Sequence, residues 1–181
     1  GRIMQGGKLL LELINQVLNL AQIDSGKCQA EIEAVNLAVV MRAAVELMEP
    51  MASSQEIRIK NRISAQNACY VQADSGFLKQ ILVNLISNAI KFNHRNGEMT
   101  LSYYRTRPKR ISICVSDTGV GIAEDKQAKL FEPFDSLNHY LGMGIGLTVA
   151  KKLVEKMGGT IGVESIPGEG STFWIELDSI D

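Results

Sequence analysis

Apolar residues recur along this chain with two different periods, and the alternation between them lays out its elements. In KLLLELINQVLNLAQID, residues Leu10, Ile14, Val17 and Ala21 fall at alternating four- and three-residue steps, with Leu13 and Leu20 widening the stripe. That spacing predicts a helix with a coiled-coil-like seam, too short to stand alone and so in need of a partner. A helix packed on its own domain also fits the pattern. DSGK, Asp24 to Lys27, supplies a helix stop and a short linker. EIEAV alternates as a strand, and NLAVVMRAAVELMEPMA reads as a helix capped by Asn36 with Pro50 near its end. IRIKNRI and CYVQAD return to the period of a strand, and Asp74 or Ser75 then caps a helix that contains ILVNLISNAIKFN. The turn HRNGE leads into MTLSYYR, which TRPKR turns back into RISICVSD as a hairpin. After a Gly-rich region from Asp117 to Gly146, IGLTVAKKLVEKM is a helix ended by Gly158-Gly159. TIGVES, PGEG and STFWIEL close the chain as strand, turn and strand. The sum predicts an α+β fold: a two-layer α/β sandwich whose mixed, mostly antiparallel sheet carries three helices on one face.

Composition bounds this picture without changing it. A chain of 181 residues, 45% hydrophobic and 22% charged, fits one core plus an appendage. A net charge of −1 offers no footprint for nucleic acid or an anionic membrane. No apolar run approaches a membrane span, and GRIMQGG is too polar for a signal peptide. Cys28, Cys69 and Cys114 are odd in number and far apart, against a disulfide framework or a zinc site. Free thiols point to a reducing cytoplasm.

Four segments carry candidate chemistry. On the helix at 81–93, Gln80, Asn84, Asn88 and Lys91 share one face, opposite Leu78, Leu82, Leu85 and Ala89. An asparagine oxygen is a hard neutral ligand suited to Mg²⁺, and a lysine one turn along can pair with phosphate. Taken alone, the pattern is weak, and a plain solvated face accounts for it better. SDTGVGI puts Asp117 at a strand end, where a carboxylate can accept from an exocyclic amine. Gly119 and Gly121 there permit close approach to a flat ring, though Asp-Thr-Gly is also an ordinary turn. GMGIGL, Gly142 to Leu147, feeds a helix N-terminus, where backbone N–H groups suit phosphate. A dinucleotide-binding fingerprint competes, but it needs its loop directly after a strand, and LFEPFDSLNHY is not one. Last, PGEGSTFWI is a hairpin turn feeding a strand whose Thr172 hydroxyl could supplement Asp117.

In this order, the segments resemble the catalytic and ATP-binding domain of a sensor histidine kinase, from about Lys8 to Leu177. That domain belongs to the superfamily shared with gyrase, heat-shock chaperone and mismatch-repair ATPases. LFEPF, Leu130 to Phe134, together with GMGIGL points to the histidine kinase branch. The resemblance implies the Bergerat ATP-binding fold, with ATP and Mg²⁺ as cofactors. It implies that Asn88 ligates Mg²⁺, with Asn84 beside it, and that Lys91 reaches phosphate while Phe92 and Ile122 lie near the nucleotide. Asn84, Asn88 and Lys91 form the implied catalytic set. Asp117 would bind the adenine amino group, with Gly119 and Gly121 letting the ring sit close. Gly142, Gly144, Gly146 and Leu147 would shape the phosphate side. Phe131 and Phe134 would anchor a mobile lid, and Thr172 would support adenine through water.

The same resemblance implies transfer of the ATP γ-phosphate to a histidine, for onward transfer to a response regulator receiver domain. His94 and His139 do not stand where that histidine belongs and read as surface residues. Residues 1–25 are therefore expected to be the second helix of a dimerisation domain, with the catalytic domain at 26–181 and the acceptor outside this chain. A homodimer through the N-terminal helix of the full-length protein follows, with no cis autophosphorylation. Only Asp135 to Leu141 separate FEPF from the glycine loop, a short lid for the family. A nucleotide-sensing or protein-interaction module with little phosphotransfer is the alternative. An ATP hydrolase would carry a glutamate where this chain has Asn84.

Overall fold

The computed structural model describes residues 2–63, 68–132 and 145–180. In chain order the elements are α1 (Arg2–Asp24), β1 (Glu33–Asn36), α2 (Leu37–Ser54), β2 (Arg58–Asn61), β3 (Tyr70–Ala73) and α3 (Ser75–Lys91). They continue with β4 (Glu98–Arg107), β5 (Arg110–Asp117), α4 (Glu124–Gln127), α5 (Gly146–Lys156), β6 (Thr160–Ile166) and β7 (Gly170–Ile180). The strands form a 7-stranded sheet in the order β1-β3-β7-β5-β4-β2, with β6 pairing β7 off this path. Among the described residues, β2 and β4 pair in parallel and the other pairings are antiparallel.

Local chemistry sets the element ends. Asn36 accepts the Ala38 N–H at 3.0 Å and starts α2. Asp74, rather than Ser75, caps α3 by accepting the Phe77 N–H at 3.0 Å. Pro50 lies inside α2, which runs on to Ser54. Pro50 and Glu46, whose carbonyl loses its helical donor, are both exposed, where solvent can replace that donor. Gly158, at φ +71°, ends α5, and the Gly159 N–H returns to the Val154 carbonyl at 3.0 Å. The β4–β5 hairpin turns through Pro108 and Lys109, the latter at φ +64°.

Strand alternation puts Phe173, Ile175 and Leu177 of β7 and Ile111, Ile113 and Val115 of β5 into one apolar core. Leu78, Leu82 and Leu85 of α3, Met41 and Ala44 of α2, and Val149 and Leu153 of α5 complete it. The sheet therefore carries α2, α3 and α5 as its helical layer. The end of α1 joins them: Ile23 is buried, and Asp24 forms an ion pair with Lys152 of α5. Earlier in α1 the seam is open, with Leu10, Ile14 and Val17 exposed by 60%, 46% and 45%. Among the described residues, no helix is long and apolar enough to cross a membrane.

Candidate functional site

A cavity of about 200 Å³ opens between the C-terminal end of α3, the end of β5, the loop 118–123, α4 and β7. Asn88, Phe92, Asp117, Ile122, Leu130 and Phe173 contribute to its lining. Asp117 ends β5 on the helix side of the sheet. Its Oδ1 accepts the Gly119 N–H at 2.8 Å and the Ser171 N–H at 3.3 Å. Among the described residues, Oδ2 has no hydrogen-bond partner. Burial pushes the Asp117 pKa above the ordinary aspartate value, while the bonds from Gly119 and Ser171 pull it back. The result is one free carboxylate oxygen in an apolar wall, an acceptor shaped for a single N–H donor.

The two glycines after Asp117 make this turn possible. Gly121 sits at φ +68°, and a Cβ there would meet the Ile166 carbonyl oxygen at 2.1 Å. A Cβ on Gly119 would meet the Phe92 carbonyl oxygen at 2.2 Å. The loop is thus pressed against the end of α3 on one side and β6 on the other. The Val120 N–H to Phe92 bond at 3.2 Å and the Gly168 N–H to Val120 bond at 2.8 Å fasten both sides.

The two asparagines of α3 differ. Asn84 is half-buried and donates its Nδ2 to the Gly146 carbonyl at 3.0 Å. Asn88 is only 7% exposed and lines the cavity. Among the described residues its side chain has no partner, and its Nδ2 is buried without one. Buried amides are normally satisfied, so an unpartnered one beside a cavity fits a guest that supplies the missing contact. Its carbonyl oxygen also suits a hard cation. Among the described residues, no three His, Cys, Asp or Glu side chains gather to hold a metal.

The remaining expected residues are placed as follows. Phe92 is the residue ending α3 and lines the cavity, as do Gly121 and Ile122. Lys91 is exposed at the last position of α3 and does not line it. Gly146 opens α5, and Leu147 is buried in the core. Phe131 packs edge-on against Phe173, ring centroids 6.5 Å apart, and its carbonyl accepts from the Thr148 hydroxyl at 3.2 Å. Phe134, His139, Gly142 and Gly144 lie outside the described residues.

Thr172 stands apart from this cavity. Its hydroxyl is 2.9 Å from that of Ser116, its β5 partner. Successive strand residues face opposite sides, so Ser171 takes the position beside Asp117 on the face of Phe173. Counting back by two from the apolar Phe173 and Ile175 identifies Ser171 in the sequence. Leu130 and Lys126, also in the lining, carry no such signal.

The fold is a two-layer α/β sandwich, and the family match makes it an ATP-binding domain. Residues 73–180 match the family described as histidine kinase-, DNA gyrase B-, and HSP90-like ATPases, and the chain belongs to that family. It is 40% identical over 181 residues to the circadian input-output histidine kinase CikA of Synechococcus elongatus, covering 96% of this chain and 24% of CikA. It is 34% identical over 187 residues to the sensor histidine kinase GacS of Pseudomonas protegens, covering 98% of this chain and 20% of GacS. Full-length ShkA, solved in complex with AMPPNP, superposes with a TM-score of 0.84 at 32% identity. That match covers 97% of this chain and 37% of ShkA. The chain thus spans about a fifth to a quarter of the length of these curated relatives.

Proposed function

We propose that this chain is the ATP-binding catalytic domain of a sensor histidine kinase, transferring the γ-phosphate of ATP to a histidine outside residues 1–181. The observation that carries the reading is the free Oδ2 of Asp117 in the same apolar cavity as the unpartnered Asn88 amide. Asp117 would accept from the adenine amino group, with Phe92, Ile122 and Leu130 excluding water around the ring. Asn88 would hold Mg²⁺, supported by Asn84 on the preceding turn, and Lys91 would meet phosphate from the helix end. Mg²⁺, when bound, neutralises phosphate charge; the protein's own share is to hold the nucleotide in line and exclude water. Gly142, Gly144, Gly146 and Leu147 would close the phosphate side.

The same reading makes α1 the second helix of a dimerisation domain, residues 1–25, with the catalytic domain at 26–181. Its exposed seam would pair within a homodimer, and a response regulator receiver domain would take the phosphate onward in the cytoplasm.

The test is nucleotide titration with and without Mg²⁺, in wild type, Asn88→Ala and Asp117→Asn. Wild type is expected to bind ATP, with Mg²⁺ dependence lost in Asn88→Ala and affinity lost in Asp117→Asn. No binding in wild type, or indifference to both changes, overturns the assignment. Labelled phosphate on an added dimerisation domain carrying a histidine would separate a kinase from a sensing module.

A further inference from the structure

Gln127, the last residue of α4, donates its side-chain Nε2 twice, to the Ile122 carbonyl at 2.8 Å and to the Ser165 carbonyl at 2.9 Å. Ile122 belongs to the cavity wall, and Ser165 belongs to β6. One amide therefore clips that wall to a strand. Ser165 makes the connection double. Its Oγ accepts the Ile122 N–H at 2.7 Å and donates to the Gly170 carbonyl at 2.9 Å. The same oxygen lies 2.8 Å from the Ser171 hydroxyl. With its own proton given to Gly170, Ser165 accepts the proton of Ser171, so its one donor and two acceptor sites are all engaged. Ser171 in turn donates its backbone N–H to Asp117 Oδ1. An unbroken chain of bonds thus runs from Gln127 through Ser165 and Ser171 to the cavity carboxylate.

We infer that Gln127 and Ser165 are positioning residues for the nucleotide, fixing the distance between the wall at Val120–Ala123 and β7 and the direction of Asp117. This rests on the reading of the cavity as the ATP site. Neither side chain lines the cavity, so both act through Ile122, Ser171 and Asp117. The loop 118–123 has no helical or strand ladder of its own. Backbone bonds hold it at Thr118 and Val120, and the clip adds the hold at Ile122. Without the clip, the same residues would still line a cavity, but one of variable width, and ordering that wall would fall to the ligand.

The experiment uses the full 181-residue chain in wild type, Gln127→Met, Ser165→Ala and Ser165→Thr forms. Methionine keeps the length of glutamine without its donors; threonine keeps the hydroxyl. Calorimetric titration with ATP and Mg²⁺ is expected to give a Kd raised about five- to tenfold in Gln127→Met and Ser165→Ala. Ser165→Thr should restore it to within about twofold. A loss of folded protein lowers the number of sites and leaves Kd alone, so a shift in Kd at full stoichiometry separates positioning from stability. Unchanged Kd in Gln127→Met and Ser165→Ala, or no recovery in Ser165→Thr, overturns the inference. A wild type that binds no ATP overturns the ATP-site reading instead. Amide exchange then decides the clip: about tenfold faster exchange at 120–122 in Gln127→Met supports it, and unchanged exchange refutes it.

Discussion

Asn84 donates its side-chain amide to the carbonyl of Gly146 at 3.0 Å, tying the middle of α3 to the first residue of α5. Among the described residues, Asn88, one turn on, holds no such bond. Substitution should therefore separate structure from function. Asn84→Ala is expected to lower stability by about 1 kcal/mol in urea denaturation, the worth of a typical hydrogen bond. Asn88→Ala removes an unsatisfied buried amide, so it should lower stability less than Asn84→Ala while abolishing the Mg²⁺-dependent part of ATP binding. A larger stability loss in Asn88→Ala would mean its amide is already satisfied without a ligand.

Asp117→Asn should stabilise the protein while weakening ATP binding. Burial raises the Asp117 pKa in the folded state. A carboxyl whose folded pKa is raised contributes stability that is full below its unfolded pKa and is lost as pH rises through the folded one. At pH 7 the ionised group is therefore a cost, which the neutral amide removes. Tm in Asp117→Asn should exceed wild type at pH 7, and the gain should vanish once both forms of Asp117 are protonated. Binding fails for a geometric reason. The N–H groups of Gly119 and Ser171 hold the amide oxygen, which turns Nδ2 toward the cavity and sets donor against donor. Wild-type ATP affinity should also fall on acidification, beginning at a higher pH than for an ordinary aspartate. Equal Tm values across the pH range would contradict this account.

Gly121→Ala and Gly158→Ala place the same methyl group at nearly the same φ, +68° and +71°. Only Gly121 has carbonyl oxygen 2.1 Å from that methyl; Gly158 has nothing within 4 Å. Gly158→Ala is expected to cost about 1 kcal/mol, the left-handed penalty alone. Gly121→Ala should cost clearly more and weaken ATP binding as well, because the loop must leave β6. Thermal denaturation and nucleotide titration of the pair would show it, and equal costs would argue against the tight packing.

Ile14→Asn and Val17→Asn address the open seam of α1. Both side chains are exposed, so stability of the single chain should change by no more than about 0.5 kcal/mol. Self-association, followed by sedimentation across a range of concentrations, should weaken. Undiminished association would place the contact elsewhere.

The fold was legible wherever one residue dictates a local outcome. Asn36 and Asp74 cap their helices, Gly158 ends α5, and the alternation in RISICVSD and STFWIEL yields the two central strands. Pairing depends on distant partners, so the parallel course of β2 beside β4 could not be read from IRIKNRI itself. In the candidate site, Asp117 and Asn88 stand out by type and spacing, and Phe92 only through the family resemblance. Gln127 and Ser165 do not. Each is an ordinary polar residue whose importance arises only when α4 and β6 meet, through carbonyls that no sequence pattern marks. Thr172 and Ser171 are adjacent hydroxyls on one strand, and the alternation set by the buried Phe173 tells which of them lies on the face of Asp117.

Asp74 joins three segments. Its Oδ1 caps α3, its Oδ2 accepts the Glu31 N–H at 2.9 Å, and its own N–H meets Met157 Sδ at 3.3 Å. The linker after α1 is therefore fastened to the first turn of α3. With 17 residues, α3 is a rod about 25 Å long that bends little. Asn88 lies near the far end of that shaft. The linker after α1 and the candidate metal ligand are therefore carried by one helix, with Asp74 as the pin at its root.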